Sequence, residues 1–107
     1  MDASLLNQLK RFEEAKSLIL KIMPAARRAL GENKETTLRL RWSYAQSLCC
    51  DANATLDDLR EAVTTLEETE RTARRVMGGA HPLATGIETA LRHARAALRA
   101  RETPSPR

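Results

Sequence analysis

The chain has 107 residues, 42 % of them hydrophobic and 3 % aromatic, with a net charge of +4. That length suits one domain, which buries about two-thirds of the surface its unfolded chain exposes. So few aromatics, and no strand-like alternation between turn residues, exclude a β-sandwich or barrel, while abundant Ala, Leu, Arg and Glu favour helix, so the fold is expected to be all-α.

Four stretches carry apolar residues at helical spacing. In the first, Phe12, Ala15, Leu18, Ile19, Ile22, Ala26, Ala29 and Leu30 form one stripe. Before it, "LLNQL" (5–9) reads as the last turns of an earlier helix, with Lys10-Arg11 as the turn. Pro24 lies inside the pattern and removes a backbone donor, so a bend or broken turn is expected near Ile22–Met23. The second stretch places Leu38, Ala45, Leu48 and Cys49 together, with Leu40 and Tyr44 beside them. The third has Leu59, Ala62, Val63, Leu66, Ala73, Val76 and Met77. The fourth has Leu83, Ile87, Ala90, Leu91, Ala94, Ala97 and Leu98.

The segment "RTARRVMGGAHPL" (71–83) reads as a joint between two helices. Arg71, Arg74 and Arg75 oppose the negative end of the helix dipole, as Asp57, Asp58 and Glu61 oppose the positive end. Thr55 and Asp58 have the spacing of a capping box. Gly78 supplies a left-handed residue past the helix end, and Pro82 suits the first position of the next helix. The first helix repeats this logic with Glu13 and Glu14 early, Arg27 and Arg28 late, and Gly31 as the stop.

Residues 1–91 carry as many acids as bases. The positive excess therefore comes from Arg92, Arg95, Arg99, Arg101 and Arg107 against Glu102. These arginines suit the end of a last helix; as a basic patch, Arg92, Arg95, Arg99 and Arg101 are the alternative, an anionic-partner surface for nucleic acid or membrane. No run approaches the ~18 apolar residues of a membrane span, and no secretory leader is visible. Cys49 and Cys50 are adjacent and form no metal or redox motif. "NAT" at 53–55 fits a glycosylation acceptor only by chance in such a chain. A reduced, cytoplasmic protein is expected. The tail "RETPSPR" lacks apolar residues, so residues 102–107 are expected to be disordered, with Thr103 and Ser105 as proline-directed phosphorylation candidates.

A shift of 47 residues aligns the chain with itself. Glu14 meets Glu61, Ala15 meets Ala62, Ala26 meets Ala73, Arg27 meets Arg74, Arg28 meets Arg75 and Gly31 meets Gly78. A period of this size indicates stacked helix pairs, because one pair cannot hide its own apolar face. "RFEEA" (11–15) and "LREAV" (59–63) resemble the start of the second helix of a tetratricopeptide repeat. "ALGENKETTLRLRWSYA" (29–45) and "VMGGAHPLATGIETAL" (76–91) resemble the joint of the kinesin-light-chain type of that repeat, where a helix ends in Leu-Gly and His-Pro opens the next. The second joint keeps His81-Pro82, whereas the first has Lys34-Glu35. The resemblance implies an α-α superhelix of antiparallel pairs over residues 1–101, about two repeats and a capping helix. A HEAT-like array, with a period of ~40–47, is the alternative fold.

The resemblance also implies a non-catalytic scaffold that takes a protein, as a peptide or helix, on its concave face. Where the family's first helices carry groove-facing Asn, this chain has Trp42-Ser43 and Thr89-Ala90. Arg39, Trp42, Ser43 and Gln46 share one helix face and are the candidate contact residues, Trp42 being either a partner contact or a core residue. No enzyme motif is present: there is no G-x-S-x-G, phosphate loop or H-E-x-x-H. His81 reads as a helix-entry residue, and His93 has no second ligand at zinc spacing. Asp57, Asp58 and Glu61 read as first-turn charges rather than an acid–base cluster. Catalytic residues, metal and cofactors are expected to be none. A purely structural end-cap of a larger array, able to self-associate through its N-terminal face, is a further alternative.

Overall fold

The computed structural model describes residues 3–31, 34–49 and 54–102, with side chains from Arg11 onward except that of Phe12. It holds four helices: α1 (Ala3–Leu30), α2 (Glu35–Cys49), α3 (Leu56–Met77) and α4 (Pro82–Glu102). No strand occurs among the described residues. The helices pack as successive pairs, α1 on α2, α2 on α3 and α3 on α4, and α2 also touches α4. The extents are 44 × 31 × 21 Å. The long dimension matches a 28-residue helix of about 42 Å, and the short one is about two helix diameters.

The turn chemistry read from the sequence is present. Thr55 caps α3: its side chain accepts from the Asp58 N–H at 3.0 Å, and the Thr55 N–H donates to the Asp58 carboxylate at 3.1 Å. Gly78 has φ 90° and ψ 152°, a positive φ that favours glycine but not the left-handed helical region. Its N–H donates to the Arg74 carbonyl at 2.9 Å. Pro82 is the first residue of α4, and Leu83 N–H donates to His81 Nδ1 at 3.0 Å. His81 thus caps α4 with its side chain, the helix-entry role expected of it.

The 47-residue shift holds in the backbone. It carries the last residue of α1 onto the last of α3, Leu30 onto Met77, and the first of α2 onto the first of α4, Glu35 onto Pro82. Gly31 has φ 89°, and its N–H donates to the Arg27 carbonyl at 2.9 Å, as Gly78 does to Arg74. The bond from Leu38 N–H to the Lys34 carbonyl recurs as Thr85 N–H to His81, both at 3.0 Å.

Three expectations about the ends need correction. No turn separates "LLNQL" from the first helix; α1 runs unbroken from Ala3 through Lys10-Arg11. The turn near Ile22–Met23 is not broken either, since the helix continues through Pro24, whose exposed position lets the ring sit outside the packed side. Glu102, assigned to the tail on composition, ends α4 and pairs with Arg60 at 3.4 Å. The phosphorylation candidates Thr103 and Ser105, together with Cys50 and Asn53, lie outside the described residues.

The core is built mainly from α2, α3 and α4. Leu38, Ala45, Leu48, Leu66, Ile87 and Ala94 are almost wholly buried. The stripe read along the first helix divides in two: Ile19 and Met23 are buried, whereas Ala15, Leu18, Ile22, Ala29 and Leu30 are exposed. The physical reason is a lack of neighbours, because α1 packs closely on α2 alone. Val76, placed on the apolar face of α3, is also exposed.

Charges fix the register of α3 against α4. Arg60 pairs with Glu102, Glu67 with Arg95 at 3.0 Å, and Arg74 with Glu88 at 3.2 Å. The partners recur every seven residues on each helix and alternate in sign. The same antiparallel register therefore satisfies all three, while a slip of one heptad sets like charges together.

Candidate functional site

The residues singled out on α2 remain on one side of that helix, with different exposures. Arg39, Ser43 and Gln46 are exposed. Arg39 is held by Glu35 one turn earlier, with Nε at 3.0 Å and Nη2 at 2.7 Å from the same carboxylate oxygen. Trp42 is half-buried and packs against the core. Its ring leans on α4 at Gly86, and its buried indole N–H finds no acceptor among the described residues. Trp42 thus takes part in core packing, one of the two roles open to it from the sequence. It forms the inner edge of a polar strip made by the other three.

Gly86 was not recognisable as part of this arrangement from spacing alone. A glycine inside a helical pattern costs about 1 kcal/mol against alanine, so its presence signals a packing demand. Here the demand is the indole of Trp42, which occupies the space of a Cβ. The contact ties α2 to α4 and sets the floor between them. Beside it on α4, Thr89 and His93 are exposed.

On the other side of α2 a polar seam joins it to α3. The Tyr44 hydroxyl donates to the Glu61 carboxylate. Burial, followed by this bond and the nearby charges of Glu61 and Asp58, pushes the Tyr44 pKa up to about 12. Arg41, itself buried, donates to Glu68 at 3.1 Å. Glu61, read as a first-turn charge, is therefore also a tertiary acceptor. Two carboxylates one heptad apart, facing a Tyr and an Arg on the preceding helix, were the available signal.

The basic patch is divided. Arg92, Arg95, Arg99 and Arg101 are all exposed. Arg95 is committed to Glu67, and Arg101 donates to the Ala54 carbonyl at 3.0 Å. Arg92 donates to Thr89 one turn back, at 3.2 Å. Helical spacing puts Arg92, Arg95 and Arg99 on one side of α4 and Arg101 on the opposite side.

A shallow surface depression of about 360 Å³ is lined by Glu13, Glu14, Ser17, Leu18 and Lys21. All five come from α1, so no second element closes it. Among the described residues, no group of three His, Cys, Asp or Glu side chains is arranged to hold a metal. None of the described helices is long and apolar enough to cross a membrane. No protein-family model, curated protein or solved structure matches the chain.

Proposed function

We propose that this chain is a non-catalytic interaction scaffold of the tetratricopeptide type, and that a peptide or helix of a partner protein binds along α2 over Arg39, Ser43 and Gln46. The observation that supports the reading is the recurrence of helix ends and turn bonds at 47 residues. Such recurrence belongs to stacked pairs, whose use is an extended binding surface. The first helices of the two units, α2 and α4, lie side by side with Trp42 on Gly86 between them. That contact holds the polar strip on a rigid base. A cytoplasmic setting is part of this reading, since Cys49 and Cys50 are adjacent in the sequence and do not have the spacing of a disulfide framework.

The test uses exposed residues only. Trp42→Ala disturbs packing and cannot separate binding from folding. Arg39→Glu and Gln46→Ala change the strip without touching the core. A partner recovered with the wild-type chain should be lost with Arg39→Glu, while thermal unfolding falls by no more than the exchange of one exposed i,i+4 pair with Glu35 for a like-charge pair explains. Equal recovery by both variants sinks this placement of the site.

A second reading, an end-cap of a helical array, is favoured by the contrast between α2 and α4. Leu38, Ala45 and Leu48 are buried on α2, and the shift puts Thr85, Arg92 and Arg95 in their places on α4, all exposed. α2 has three neighbouring helices; α4 has α3 and only an edge of α2. A polar outer face on a terminal unit keeps a stack from growing. Thr85→Leu combined with Arg92→Ala and Arg95→Leu should then make the chain self-associate, seen as a rise in mass by light scattering. An unchanged mass removes the reading.

A further inference from the structure

α1 keeps a second apolar stripe on its outer side: Ala15, Leu18, Ile22, Ala25 and Ala29. Leu18 is 58 % exposed and Ile22 40 %. The residues alternate at three and four positions apart, the spacing of a coiled-coil seam.

The repeat shows what such a side is for. Shifted by 47 residues, the stripe falls on Ala62, Thr65, Thr69, Thr72 and Val76 of α3. Ala62 and Thr69 are fully buried there. The helix that lies over them is α2, which reaches Glu61 through Tyr44 and Glu68 through Arg41. These pairings run in opposite directions along the two helices, so α2 is antiparallel to α3. The counterparts of Glu61 and Glu68 on α1 are Glu14 and Lys21. α1 thus turns outward the side that α3 gives to an antiparallel neighbour, and presents Leu18 and Ile22 where α3 has threonines.

The charges flanking the stripe select the occupant. Along one edge stand Glu14, Lys21 and Arg28, one heptad apart and all exposed. The edge is acidic at its start and basic at its end. An antiparallel helix of the same sequence sets Glu14 against Arg28 of the copy, and Arg28 against Glu14 of the copy. The same register lays Leu18 on Ile22 of the copy and Ala15 on Ala25, with the alanines allowing close approach. The pattern is self-complementary about a two-fold axis, as an isologous interface requires. Lys21 meets its own copy near that axis and is the one unfavourable contact.

We infer that α1 pairs antiparallel with α1 of a second copy of this chain, through Ala15, Leu18, Ile22, Ala25 and Ala29, with Glu14–Arg28 pairs along the edge. This dimer is independent of the α2 surface, so either can fail without the other.

Sedimentation equilibrium of the whole chain over a dilution series tests it. The expected result is a dimer that dissociates on dilution. Glu14→Arg alone and Arg28→Glu alone each weaken it about tenfold, since the two-fold counts every like-charge contact twice. The double variant E14R/R28E regains the wild-type constant, and Lys21→Gln tightens it. Leu18→Glu with Ile22→Glu gives a monomer that keeps its helical circular dichroism and melting temperature, because neither side chain is in the core. Monomer mass at every concentration overturns the inference, as does a dimer indifferent to Leu18→Glu with Ile22→Glu. A double charge variant no tighter than the single ones also overturns it. So does a monomer that captures a foreign helix on this face.

Discussion

A Cβ built on Gly86 would stand 2.6 Å from Cη2 of Trp42, with Cζ2 and Cζ3 at 3.3 Å. The indole is a rigid plane held between α2 and α4, so the strain cannot be relieved by moving a flexible chain end. Gly86→Ala gains about 1 kcal/mol in helix propensity. It loses about 1–3 kcal/mol to overpacking. The net effect expected is a lower melting temperature. In a Trp42→Ala background the clash is gone, and the same Gly86→Ala change should raise the melting temperature. A double-mutant cycle by thermal unfolding reads this reversal of sign; two effects that simply add would show that the ring does not rest on Gly86.

Tyr44 gives the fold a dependence on alkaline pH. Its pKa is raised from 10.0 to about 12, so the folded chain keeps the phenolic proton after the unfolded chain has released it. Its contribution is fully present below pH 10 and is lost as pH rises through about 12. The side chain is buried, and the loss is on the order of 2 kcal/mol. Urea unfolding of wild type and Tyr44→Phe at pH 8, 10 and 12 should show a stability difference that shrinks or reverses across that window. A constant difference would mean that the hydroxyl is not held by Glu61.

The alternating charges between α3 and α4 should act on register more than on stability. Each pair is exposed and contributes about 0.2–1 kcal/mol. Glu67→Arg faces Arg95 and should lower the melting temperature by a few degrees at low salt and less at high salt. Adding Arg95→Glu restores the pair with inverted sign and should recover the loss. If the double variant melts no higher than the single one, Glu67 and Arg95 are not partners.

His81 caps α4 through Nδ1, which accepts the Leu83 N–H at 3.0 Å. His81→Ala leaves that donor without its side-chain acceptor and should cost about 1 kcal/mol, while His81→Asn or His81→Asp retains a capping oxygen and most of the stability. Hydrogen exchange at the first turn of α4 locates the effect. Equal protection at Leu83 in wild type and His81→Ala would remove the cap from the account.

Local chemistry was legible in the sequence wherever a residue acts on its own neighbourhood. Thr55 with Asp58, Gly31, Gly78 and Pro82 set helix ends, because capping and positive φ depend on a few consecutive residues. The 47-residue period likewise follows from matched positions such as Arg27 and Arg74. Helical periodicity gave most of the buried faces of α3 and α4. It failed on α1, where Leu18 and Ile22 have the right spacing for a core but no described helix lies over them.

Periodicity states which residues share a side; only the packing states what that side meets. Tertiary structure decided that Trp42 rests on Gly86, that Glu61 holds Tyr44, and that Arg95 and Arg101 are spent within the chain. It also decided that Arg41 is buried, a position no propensity favours, since the neighbours of α2 surround it and Glu68 neutralises it. The sequence alone determined the helical class, the ends marked by Gly31, Thr55, Gly78 and Pro82, and the repeat, because hydrogen bonding within a helix is local; it misread the start of α1. Which apolar stripes became core and which stayed open depended on how many helices reached each one, and that is a property of the assembled stack.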